Sequence, residues 1–146
     1  MVIPAMRNHR ELRALRGATT AGANTSAAIT ESVEELLVAL IENNNFKGEH
    51  VVSVTFSVTG DLNACFPAAV ARRWTGWDEV ALLDCQQMAV IGDLPRCIRL
   101  LAHVWLEPGQ EIFHPYLRGA ARLRPDRSSF TIKPQEGVET SENDKD

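Results

Sequence analysis

Apolar and polar positions alternate with different periods along the chain, and each change of period marks an element. Between Asn24 and Gly48 the apolar residues Ile29, Val33, Leu36, Leu37, Leu40 and Ile41 recur three or four positions apart, which is one stripe of an α-helix. Asn24, Thr25 and Ser26 offer side-chain oxygens to cap its first N–H groups. The polar run Asn43-Asn44-Asn45, and then Gly48, ends it. From Val51 to Thr59 the period drops to two. Val52, Val54, Phe56 and Val58 are expected on one side of a half-buried strand, with Val51, Ser53, Thr55 and Ser57 on the other. Arg96 to Leu106 carries the longest alternation, with Ile98, Leu100, Ala102, Val104 and Leu106 on a wholly apolar face. Cys97, Arg99, Leu101, His103 and Trp105 fall on a mixed face, so Arg99 is expected there.

Shorter patterns fill the gaps. Leu12 to Arg16 reads as a strand that stops at Gly17, which would leave Arg16 at a strand end. Pro67, followed by Ala68 to Arg72, suits a short helix with proline in its first turn, ended by Gly76 and Trp77. Val80 to Leu83 is a brief apolar run, Gly92, Asp93 and Pro95 mark a loop, and Ala120 to Leu123 is expected to be a last short strand before Pro125. The order is strand, helix, strand, short helix and three further strands. It describes an α/β (α+β) domain with a mixed sheet, one long helix and at least one short one. One sheet face would be covered by the long helix, leaving the other to be buried against copies of the chain. The expected domain is 12–126, with an N-terminal extension at 1–11 and an acidic polar tail at 127–146, both expected to be flexible.

Composition narrows the function. An apolar content of 45% in 146 residues suffices for one core. Fifteen Lys and Arg against nineteen Asp and Glu leave a net charge of −4. That balance argues against a nucleic-acid binder, which needs a basic face to neutralise phosphates, so any anion site must be local and built from a few arginines. Cys65, Cys85 and Cys97 lack the close pairing of zinc or redox motifs. They are expected to be reduced thiols, with the cytoplasm as compartment. The N-terminus lacks an apolar segment of export-signal type, and no apolar run approaches the roughly 20 residues that cross a bilayer, so no membrane partner is expected. His9, His50, His103 and His114 are too scattered to suggest a metal. Trp74, Trp77 and Trp105 read as core or interface anchors.

Five segments in order and spacing carry a resemblance: Arg16-Gly17-Ala18-Thr19-Thr20; Asp61 to Ala68, with Phe66 and Pro67 at its end; Gly76-Trp77; Cys97-Ile98-Arg99; and Tyr116 with Leu123-Arg124-Pro125-Asp126. Together they resemble the barrel-type monofunctional chorismate mutases, from about Leu12 to Asp126. The resemblance implies a homotrimeric pseudo-barrel of sheets wrapped by helices, with active sites in clefts between subunits, no cofactor, and chorismate as substrate. It further implies substrate contacts from Arg16, Arg99 and Tyr116, with Phe66, Ala68 and Arg72 supplied across the interface. Leu83 and Asp84 would lie at the strand end lining the pocket, and Leu123 and Arg124 would bind substrate, Arg124 matching the arginine near the family's mobile C-terminal end.

The chemistry of the implied reaction explains these residue types. Chorismate is a dianion whose rearrangement to prephenate breaks an ether C–O bond as a C–C bond forms, with no nucleophile or proton transfer. Negative charge gathers on the ether oxygen in the transition state, where a fixed cation binds more tightly than in the ground state. Arg99 is the candidate for that cation, since a guanidinium forks between two oxygens and keeps its proton. Arg16, with Arg72 and Arg124, would grip carboxylates and hold the compact substrate conformer.

One position departs from the pattern. Where the best-known members carry a glutamate, with a cysteine three residues earlier, this chain has Gln87 and Asp84. Gln87 can accept a hydrogen bond from the substrate's ring hydroxyl but brings no charge. Asp84 would restore the anion if the stretch is helical or turned, because positions three apart then share a side. Two other functions stay open: an enamine or imine deaminase on a similar trimeric scaffold, and a chorismate-binding protein with reduced or lost turnover, which Gln87 motivates. Each residue also has a plainer reading: Arg99 as an arginine on a wet strand face, Arg16 at a strand end, Tyr116 as a packed loop residue, and Asp84 as part of a polar turn.

Overall fold

The computed structural model describes residues 9–125. In chain order the elements are β1 (Glu11–Thr20), α1 (Ser26–Asn44), β2 (Val51–Val58), α2 (Pro67–Arg72), β3 (Ala81–Gln86) and β4 (Cys97–Leu106), with 3₁₀ turns at Gly48–His50 and Arg118–Leu123. The strands form one sheet in the order β1-β4-β2-β3. β4 runs antiparallel to both β1 and β2, while β2 and β3 are parallel. A parallel pair needs a crossover, and α2 sits in it.

α1 forms where the apolar stripe predicts it. The Thr25 hydroxyl accepts the Ala28 N–H at 3.0 Å as N-cap, and Asn45 ends the helix in the left-handed region at φ 52°. Asparagine tolerates that conformation better than most side chains. The stripe Ile29, Val33, Leu36, Leu37 and Leu40 is buried against Leu15, Val54, Phe56, Ile98, Leu100, Ala102 and Val104. This is the main core, and it lies wholly on one face of the sheet. The Ser32 hydroxyl donates to the Thr20 carbonyl at 3.1 Å, fixing the end of β1 to the helix. Among the described residues no helix is long and apolar enough to cross a membrane.

Five expectations need correction. β1 does not stop at Gly17 but continues to Thr20, pairing Gly17 with Leu100 and Ala18 with Arg99. Gly17 is there for close approach: a Cβ would lie 3.1 Å from the Pro115 carbonyl oxygen and 3.3 Å from Leu36 Cδ1. Arg16 is therefore inside a strand. On β2 the pairing shifts between Val51 and Ser53, and the extra residue, Val52, is turned outward while Val51 is buried. A β-bulge of this kind changes the inward phase by one position. Ala120 to Leu123 is no strand; it lies in the 3₁₀ turn, whose first bond runs from the Ala120 N–H to the Leu117 carbonyl. Among the described residues the sheet therefore has four strands. Finally, α2 ends at Arg72, short of Gly76, and β3 extends through Gln86, so Asp84 is in an extended strand rather than a helix or turn. The expected tail at 127–146 and residues 1–8 of the expected extension lie outside the described residues. Arg10 donates to the Trp105 carbonyl at 2.9 Å, and Glu11 already pairs with Leu106.

Candidate active site on the open sheet face

The register of the sheet sets Ala18, Arg99, Ser57 and Cys85 side by side on four adjacent strands. The neighbouring row on the same face is Arg16, Leu101, Thr55 and Leu83. Because strand residues alternate between faces, both rows point away from α1. At the centre is Arg99. Its Nη2 lies 3.2 Å from Asp93 Oδ1, and its Nη1 is buried without a hydrogen-bond partner among the described residues. A buried guanidinium nitrogen in that state carries an unmet demand for an acceptor.

Asp93 belongs to the loop between β3 and β4. The Leu94 backbone N–H, donating to Oδ1 at 2.8 Å, and the Arg99 guanidinium hold its carboxyl below the usual carboxylate range. Beside Arg99, the Ser57 hydroxyl donates to Gln87 Oε1. The Gln87 N–H donates to the Val58 carbonyl at 2.8 Å, prolonging the contact of β3 with β2 by one residue. Burial pushes the Cys97 thiol up to about 11, so it does not supply a thiolate nucleophile at neutral pH.

A second layer comes from the segment after β4. The Ala18 N–H donates to the Pro115 carbonyl at 2.9 Å and the Leu117 N–H to the Ala18 carbonyl at 2.8 Å, which brings Tyr116 alongside β1. Tyr116 is buried with Ala18 and Ala120, and Leu94 and Leu123 pack on this cluster. It is thus a packed residue bordering the Arg99 row. Nearby, the Arg16 N–H donates to His114 Nδ1 at 2.9 Å while the residue itself is exposed. Arg124 follows the 3₁₀ turn. The whole segment is clamped by Asn44 at the end of α1. Its Nδ2 donates to the Leu40 and Phe113 carbonyls, both at 2.9 Å, and its Oδ1 accepts the Phe113 N–H at 2.8 Å.

The remaining candidates are elsewhere. Phe66 immediately precedes α2 and is 69% exposed; Arg72 ends α2 and is also exposed, whereas Ala68 is buried. The Ala68 N–H donates to Asp84 Oδ1 at 3.0 Å, tying α2 to β3. Asp84 pairs with Phe56, a core residue, and so faces the covered side. Desolvation by burial raises its pKa, partly offset by the Ala68 N–H and by Arg72. Gln87 reaches Ser57 on the open side. The two positions expected to share a side are therefore parted by the sheet, as alternation along an extended strand requires. Within one chain, Arg99, Ser57, Gln87 and Leu83 occupy the open face, while Asp84 and its α2 contact belong to the other.

Sequence reasoning missed three contributors. In the sequence Asp93 reads only as a loop marker, Ser57 only as a polar strand position, and Asn44 only as a helix terminator; each owes its place to a partner outside its own element. The open face also exposes Leu12, Val52, Leu83 and Leu101, and Met88, Val90 and Ile91 are exposed just after β3.

Residues 12–127 match the family model for chorismate mutase type I. The chain belongs to that family. It is 41% identical over 118 residues to chorismate mutase AroH of Bacillus subtilis (strain 168), a match spanning 80% of this chain and 93% of the relative. It is 42% identical over 121 residues to chorismate mutase AroH of Thermus thermophilus, spanning 81% and 98%. Among solved structures, a chorismate mutase from Clostridium thermocellum superimposes with a TM-score of 0.69 at 38% identity, over 75% of this chain and 98% of that one. As a type I chorismate mutase the chain is placed among the isomerases. The mixed sheet with one long helix accords with the fold expected from its sequence.

Proposed function

We propose that this chain converts chorismate to prephenate, with Arg99 as the residue that stabilises the transition state. The observation that carries this is the buried Nη1 of Arg99 on the open face, which has no hydrogen-bond partner among the described residues, beside a guanidinium nitrogen already fixed by Asp93. As the ether C–O bond lengthens, the departing oxygen gains negative charge. A cation held in place beforehand needs no reorganisation to meet it. Arg16, two residues before Ala18 on the adjoining strand, is assigned to a substrate carboxylate. Tyr116, Leu83 and Leu123 border the substrate. The reaction calls for no cofactor, metal or nucleophile.

Arg72, Phe66 and Ala68 we assign to the neighbouring subunit's cleft, in a homotrimer. Two observations support this: they lie in α2 or, for Phe66, at its N-cap, apart from the Arg99 row of the same chain, and the open face exposes a set of large apolar residues of the kind that marks a protein contact. Arg124 is assigned to a substrate carboxylate. The hydrogen-bond pattern favours Asp84 as an anchor of α2 over a role at the substrate ring, and leaves Gln87, whose Oε1 is engaged by Ser57, as the residue facing the ring. Cys65, Cys85 and Cys97 are all free thiols, in keeping with a cytoplasmic enzyme.

The test is to follow chorismate loss and prephenate appearance with purified protein. Turnover that falls at least about a hundredfold in Arg99→Ala is expected; unchanged turnover in that variant would refute the mechanism. Asp84→Asn is expected to keep its turnover, and sedimentation should show a trimer. Chorismate bound but not converted would refute the assignment of turnover.

A further inference from the structure

Resting on the assignment of Arg99 above, we propose that Asp93 is a positioning residue: it holds one guanidinium nitrogen of Arg99 so that the other is presented to the substrate. Among the described residues the contact is single, Nη2 to Oδ1 at 3.2 Å, and it leaves Nη1 buried without a hydrogen-bond partner. An arginine head has several donors on a long flexible stem, so its aim depends on what fixes it.

The loop that carries Asp93 is itself fixed at several points. The Asp93 N–H donates to the Val90 carbonyl at 3.0 Å, and its Oδ1 accepts the Leu94 N–H at 2.8 Å. Leu94 packs on Ala18, Tyr116 and Ala120. Two residues on, the Arg96 N–H donates to the Asp61 carboxylate at 2.9 Å, and Arg96 Nε donates to the Ala21 carbonyl at 3.0 Å. Arg96 holds a left-handed conformation at φ 47°, whose backbone cost these bonds offset. The carboxylate is thus part of the framework. Because Asp93 engages a different nitrogen from the one presented, it steadies the guanidinium without occupying its substrate-facing donor.

The decisive measurements are steady-state kinetics of Asp93→Ala and Asp93→Asn with chorismate, each also made in an Arg99→Ala background. Asn preserves an acceptor for the Leu94 N–H and so keeps the loop, whatever becomes of the alanine variant. A misaimed group costs about ten- to a hundredfold in rate, so kcat should fall by that order in Asp93→Ala and by less in Asp93→Asn, with KM changed far less than kcat. In the Arg99→Ala background neither substitution should lower kcat further, because their effect passes through Arg99. Wild-type kcat in both single variants would overturn the proposal. So would a fall in KM at unchanged kcat, which would make Asp93 a competitor for the substrate anion. An equal loss of kcat with Arg99 absent would make it a general structural residue. Failure of the underlying assignment has a different signature: Arg99→Ala alone would turn over chorismate normally.

Discussion

The two faces of β4 differ in what completes them. Ile98, Leu100, Ala102 and Val104 meet α1 and the core within the chain, and none is more than 4% exposed. One residue away in each case, Arg99, Leu101 and His103 look outward to a charged loop residue, open surroundings and the Ser53 hydroxyl respectively. The covered face is closed by local packing, whereas the open face holds an unmatched donor and exposed apolar side chains. With the proposed role of Arg99, stability and chemistry are separated by the thickness of one sheet, and substitutions on the two faces should act on different measurements.

The strongest challenge to that separation comes from the covered face. Phe56 is fully buried, and Phe56→Ala should lower the unfolding free energy by about 3–5 kcal/mol in denaturant titration; a loss below about 1 kcal/mol would mean that the core is not where the strand alternation puts it. On the open face the balance reverses. Arg99→Ala should lower turnover by about 10²–10³, yet change stability by roughly 1 kcal/mol or less, as expected of a partly exposed ion pair.

Asn44 links the two regions. Asn44→Ala would remove the Asn44 hydrogen bonds to the Phe113 N–H and carbonyl, costing about 1–3 kcal/mol, and should also loosen the segment that brings Tyr116 to β1. Stability and activity are expected to fall together in this variant alone, measured by thermal melting and prephenate formation.

The smallest effect concerns pH. Desolvation pushes the Asp61 carboxyl upward, but hydrogen bonds from the Thr59 hydroxyl and the Arg96 N–H outweigh it and hold the pKa below its ordinary value. A lowered folded pKa stabilises the fold at pH above the unfolded value of about 3.9, and that stabilisation is lost as pH falls through the folded value. Asp61→Asn should therefore melt earlier than the parent at pH 7, with the gap closing in acid.

How far the sequence disclosed this arrangement depends on the range of the forces involved. α1, the core positions of β2 from Val54 to Val58, and both faces of β4 were legible because local periodicity and a capping threonine specify them. The continuation of β1 through Gly17 was not, since that glycine answers to Pro115 and Leu36 rather than to its neighbours. The segment from Ala120 to Leu123 is too short for its apolar content to choose between strand and turn. At the site, Arg99 was placed on the correct face by alternation alone. The pairing of that arginine with Asp93, and the parting of Asp84 from Gln87, followed only when the loop and the extent of β3 were known.

Val52 has a consequence for how the gene can change. As the surplus residue of its ladder, it is a position whose deletion would realign β2 with β4 and leave Val54, Phe56 and Val58 pointing inward. Deleting one residue between Val54 and Val58 would instead reverse the facing of the residues on one side of the gap. The strand thus contains one place where its length is negotiable, next to a stretch where it is not.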